Sequence, residues 1–187
     1  MSALCASPAA ERNGIAAAVV KWVDGAIVAA SVALAISSLS VMFVSLMAEV
    51  VIRYATDQGM GWPTEMPNIL FPWLVMSGVV LAAQRGQHIA VTALNALLGR
   101  RGNRVLLLGQ QVLVAATFFY LAWVGLDVIE ITGGEEFPVT GITARWAYLA
   151  LIVGFVGLGL TALTTFVRLL LASDPLAVRT HHIEEDV

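Results

Sequence analysis

Between Asp24 and Glu49 the chain runs for 24 residues without a charged side chain, and it does so again from Met66 to Gln84, Val105 to Leu126 and Trp146 to Val167. A helix needs roughly 20 apolar residues to cross the hydrocarbon core of a bilayer. Within that core each backbone donor and acceptor must find a partner inside the protein, so an isolated apolar run of this length has to be helical. The four windows therefore predict an all-α integral membrane protein with four transmembrane helices, at about 25–48, 66–84, 105–126 and 146–167. Only 12% of the 187 residues are charged, about half the share found in soluble domains. The connections are too short to bury a core of their own, so 1–187 reads as a single membrane domain. The one cysteine, Cys5, excludes a disulfide framework.

The second window breaks off in Arg85, Gly86, Gln87 and His88, resumes as a weaker apolar segment and closes on Arg100, Arg101 and Arg104. Residues 89–98 are too few to cross. They predict a short amphipathic helix on the cytoplasmic face between spans 2 and 3, anchored by its flanking arginines. With this connection cytoplasmic, eight of the ten Lys and Arg lie inside and only Arg53 and Arg145 outside. Both termini are then cytoplasmic, and the first span, too long for a cleaved signal, stays in place. The outer side gathers Glu49, Asp57, Glu65, Asp127, Glu130, Glu135 and Glu136.

Within the spans, small residues form two seams. Ala26, Ala30, Ala33, Ser37 and Ser40 share one face of span 1, and Ala147, Ala150, Gly154, Gly157, Thr161 and Thr164 share one face of span 4. Such seams let helices approach closely. A further stripe on span 1 carries Ser31, Ser38, Ser45, Glu49 and Arg53. Glu49 is either a proton- or cation-binding carboxylate or, the reading favoured by its place at the end of the span, an i, i+4 partner of Arg53. His88 reads as a headgroup or backbone hydrogen-bond donor rather than a proton relay, because no second titratable group inside the membrane would continue one. The acidic loop at 133–141 reads as a solvated surface, since it lacks calcium-loop spacing. The terminal His181-His182 beside Glu184, Glu185 and Asp186 reads as a frayed end.

No pair of histidines sits within a span to ligate haem. No phosphate-binding glycine loop and no Ser-His-Asp or HExxH arrangement is present. These gaps argue against an enzyme. A self-sufficient transporter needs repeats, broken helices and midplane charges, and no span has a charge at its centre. The chain reads as a subunit that packs and anchors.

Glu49-x-x-x-Arg53-Tyr54, then Glu65, Phe71-Pro72-Trp73, Gly78, Leu81-Ala82-Ala83 and Arg85-Gly86-x-His88-Ile89 before a basic segment together resemble the small membrane subunit of tripartite ATP-independent periplasmic (TRAP) transporters, the DctQ-like family. The resemblance extends over nearly the whole chain. It implies a bacterial inner-membrane protein paired with a large multi-span subunit, which holds the substrate and sodium sites and works by an elevator motion. A periplasmic binding protein would deliver the substrate, typically an organic acid. This chain would be non-catalytic, without a cofactor of its own and without nucleic-acid contact, serving as scaffold and docking aid. On that reading the seams with Gly154 and Gly157, and the second span, which carries Trp73 and which Pro72 is expected to bend, serve helix packing. Arg85, His88, Arg100, Arg101 and Arg104 hold lipid headgroups. Glu65, Asp127, Glu130, Glu135 and Glu136 face the binding protein. The competing reading is a small homo-oligomeric proton-coupled exporter that works through Glu49.

Overall fold

The computed structural model describes residues 8–56, 59–85 and 100–171. They form four helices: α1 (Pro8–Thr56), α2 (Trp62–Gln84), α3 (Arg100–Thr132) and α4 (Arg145–Leu171). All four are long and apolar enough to cross a membrane. The predicted interfacial helix at 89–98 and His88 lie outside the described residues. Arg100, Arg101 and Arg104 fall in the first turns of α3 rather than in a loop.

Helix α1 begins well before its apolar window. The Ala-rich stretch from Pro8 continues straight into the span, because alanine is the best helix former and a proline fits the first turn, where its missing N–H is not needed. Its 49 residues extend about 73 Å at the helical rise, more than twice the thickness of a hydrocarbon core. Helix α2 likewise starts four residues before its window, at Trp62, with Pro63 in its first turn and Pro67 and Pro72 inside it.

In the bundle α1 packs on α2, α2 on α4, and α4 on α3. The order follows from where glycine removes a side chain. A Cβ at Gly154 would stand 2.8 Å from the Cβ of Met76, and one at Gly157 would stand 3.2 Å from Val80, so α2 lies directly on α4. On the other flank of α4, a Cβ at Gly159 would stand 3.0 Å from the Phe119 ring, and one at Gly125 of α3 would stand 3.0 Å from Ile152. Met76, Val80 and Leu158 form the buried centre. Phe118 and Phe155 stack beside it with centroids 6.1 Å apart.

The seam of span 4 is thus used inside the subunit. The seam of span 1 is not: Ala26, Ala30, Ala33, Ser37 and Ser40 are exposed, while Ser31, Ser38 and Ser45 are buried. The reason is polarity. A methyl group is at home in hydrocarbon, whereas a hydroxyl is better placed between helices, where Ser45 can donate to the Met42 carbonyl at 2.9 Å out of contact with lipid.

Candidate functional site

Both connections at the end of the bundle where α1 and α3 finish are held by buried or half-buried carboxylates. Glu49 accepts a hydrogen bond from the backbone N–H of Met60 at 3.0 Å. Its other oxygen occupies the space beside Gly59 that a Cβ would enter at 2.6 Å. No ion pair joins Glu49 to Arg53, which is exposed, so the i, i+4 pair expected from sequence is replaced by a loop contact. The physical cause is competition: the chain turning into α2 presents a free amide that a carboxylate on the last turns of α1 can cap.

Glu65 does the same for the second connection, over a far longer sequence distance. Its Oε1 accepts from the Val139 N–H at 3.0 Å, and its Oε2 accepts from the Thr140 N–H at 2.9 Å and the Thr140 hydroxyl at 2.8 Å. Glu65 is only 7% exposed. It therefore tethers a loop and is not available as a docking residue.

That loop is more ordered than its turn-rich composition suggests. Phe137 N–H donates to Ile142 at 3.0 Å, Ala144 N–H to Glu135 at 2.7 Å, and Gly141 N–H back to Phe137 at 2.9 Å. A single antiparallel bridge joins Glu136 to Thr143. Gly141 sits at φ +65, a left-handed conformation that suits glycine. Val139 at the tip rests against Gly61, 3.0 Å from where a Cβ would stand. Trp73 Nε1 donates to the Trp146 carbonyl at 3.0 Å and ties α2 to the start of α4, so this tryptophan is used within the subunit.

On this clamped base Asp127 and Glu130, in the last turns of α3, and Glu135 and Glu136, in the hairpin, are all exposed. Arg145, the first residue of α4, is also exposed. Under the hairpin a cavity of about 400 Å³ opens between α2 and α4. Among the described residues no cluster of His, Cys, Asp or Glu is arranged to hold a metal ion. Glu65→Ala removes the acceptor of three donors. The expected result is rapid amide hydrogen exchange at Val139 and Thr140, while the amides around Gly154 stay protected.

The opposite end holds a polar site that reading the spans missed. Asp24 of α1 is ion-paired with Arg168 of α4. Gln84, the last residue of α2, donates to the Thr161 hydroxyl at 3.0 Å and approaches Asp24 at 3.5 Å. Three helices meet in this network. Its signal in the sequence is that Asp24 and Arg168, of opposite charge, bound the windows of spans 1 and 4 at the same end. Arg85, next to Gln84, is exposed and closes α2 through its own N–H to the Leu81 carbonyl at 3.3 Å.

Residues 42–172 match the family model described as the DctQ component of tripartite ATP-independent periplasmic transporters. A Haemophilus influenzae protein described as a TRAP transporter small permease is 24% identical over 138 residues, 74% of this chain and 81% of that protein. The ectoine TRAP transporter small permease protein TeaB of Halomonas elongata is 25% identical over 135 residues, 71% of this chain and 70% of its own length. An uncharacterized Sinorhizobium fredii protein is 31% identical over 130 residues, 69% of this chain but 24% of that protein. The matched region contains both carboxylate clamps, the hairpin and the α2–α4 contact. Asp24 lies outside it.

Proposed function

This chain belongs to the family of DctQ components of tripartite ATP-independent periplasmic transporters, and from that premise we propose that it is the scaffold of a two-part membrane unit and the landing surface for a periplasmic binding protein. It is a non-catalytic, multi-pass component of a transporter. The proposed arrangement puts both termini in the cytoplasm of a bacterium, with the hairpin facing the periplasm. A large multi-span subunit carries the substrate and sodium sites, and the substrate is an organic acid brought by the binding protein. No metal or cofactor is required of this chain. The arginines at 85 and 100–104 sit at the inner headgroup layer in this arrangement.

One observation carries the docking part: four exposed carboxylates stand on a loop end whose connections are pinned by Glu49 and Glu65. A preordered charged surface loses little entropy on contact, and it steers an oppositely charged partner before contact. The exporter reading is weaker. Its carboxylate, Glu49, is already engaged with Met60 at the end of the helix.

Lys in place of both Glu135 and Glu136 is expected to slow association of the binding protein with the assembled membrane complex by about tenfold at low salt, with a smaller difference at high salt. Surface plasmon resonance on the complex in nanodiscs measures both. Unchanged rates at low salt would remove these residues from the dock.

A further inference from the structure

The cavity beneath the hairpin has an apolar lining that docking of a soluble protein does not use. It is lined by Glu135 and Glu136 of the hairpin, by Asn68 and Pro72 of α2 and by Tyr148 and Leu151 of α4. The carboxylates lie in the loop that precedes α4, outside the segment apolar enough to cross the membrane. Leu151 lies about 9 Å further along α4 from Arg145 at 1.5 Å per residue, within a segment apolar enough to cross the membrane. The cavity is therefore acidic where a bilayer has headgroups and apolar where it has acyl chains.

A second feature points to a hydrogen-bond donor as the occupant. Pro72 has no N–H, so the carbonyl of Asn68 lacks its helical i+4 donor, and both residues line the cavity. Asn68 is exposed and Tyr148 half-buried, and both side chains line the cavity. An ammonium group offers three donors and a positive charge to a wall rich in acceptors and bounded by two carboxylates. Charge-assisted hydrogen bonds of this kind are the strong ones.

We propose that this cavity is a binding site for a phospholipid with a primary-amine headgroup, whose ammonium lies against Glu135 and Glu136 and whose acyl chain lies over Pro72 and Leu151. A quaternary ammonium cannot donate hydrogen bonds, so the site prefers phosphatidylethanolamine to phosphatidylcholine. An anionic headgroup meets two carboxylates and is repelled. The site shares Glu135 and Glu136 with the proposed dock but does not depend on docking or on the direction in which the chain crosses the membrane.

Native mass spectrometry of the purified full chain, delipidated and titrated with phosphatidylethanolamine, phosphatidylcholine or phosphatidylglycerol of identical acyl chains, tests it. The expected result is one tightly retained phosphatidylethanolamine, held about tenfold more strongly than either other lipid, the ratio one charge-assisted hydrogen bond supplies. E135Q/E136Q, a change at exposed positions, should abolish that preference. Leu151→Trp should reduce retention by filling the apolar part of the cavity. Equal retention of the ethanolamine and choline lipids by the wild type, or a preference that survives E135Q/E136Q, would overturn the proposal. So would displacement of the lipid by an equal concentration of soluble phosphoethanolamine, which would make the ligand a free amine.

Discussion

Arg168→Ala should destabilise the bundle by about 3 kcal/mol, the low end of the cost of stripping one partner from a buried ion pair. The low end applies because the Arg168 side chain is 34% exposed, while that of Asp24 is only 10% exposed. The two deletions are therefore unequal. Without Arg168, the Asp24 carboxylate stays between α1, α2 and α4 with only the 3.5 Å approach of Gln84 as compensation. Without Asp24, the arginine can carry its guanidinium out to headgroups on a flexible stem, so Asp24→Ala should cost about 1 kcal/mol. The double variant should resemble Asp24→Ala rather than the sum of the two, which is the signature of a coupled pair. Unfolding titrations in mixed micelles give all three values. Equal costs for the single variants would mean that the pair is solvated and contributes little.

The second large effect belongs to Gly154. Leucine there must displace Met76, and because the conflict already reaches the Met76 Cβ at 2.8 Å, a change of rotamer cannot relieve it. Backbones have to separate, and α2 loses its seat on α4 together with the Trp73 bond to Trp146. The expected cost is about 3 kcal/mol, the upper range for overpacking. Gly78, which faces open space, should accept alanine without loss. Met76→Gly in the Gly154→Ala background should recover part of the stability, because it removes the conflicting side chain. Circular-dichroism melts of the purified chain distinguish the variants. A Gly154→Leu variant that melted like the wild type would rule out the close α2–α4 contact.

The helical spans were legible because the absence of charge over about 20 residues leaves no other backbone solution in lipid. The α4 seam was legible for a related reason: glycine at Gly154 and Gly157 has no use on a lipid-facing surface but permits a close crossing. The α1 seam misled because alanine serves equally well against a helix and against acyl chains, so its spacing carried no direction. Only the serines beside it did. Helix ends were less legible still, since propensity in the Ala-rich stretch after Pro8 extends α1 without any apolar signal. The carboxylate sites were half visible. Glu49 and Glu65 could be picked out as acids at span ends, but their partners are backbone amides of Met60, Val139 and Thr140, and a backbone donor leaves no mark in a sequence. The Asp24–Arg168 pair joins residues 144 positions apart, a link that becomes evident only when α1 and α4 are placed side by side.

If this chain is one part of a larger transport unit, affinity purification of the tagged full chain from its native membrane in mild detergent, with quantification of what accompanies it, should recover a single large multi-span membrane protein in equal amount, and vesicles that contain this chain without that protein should take up no substrate. A chain that purified alone as a homo-oligomer, and drove transport that Glu49→Gln abolished, would contradict that expectation.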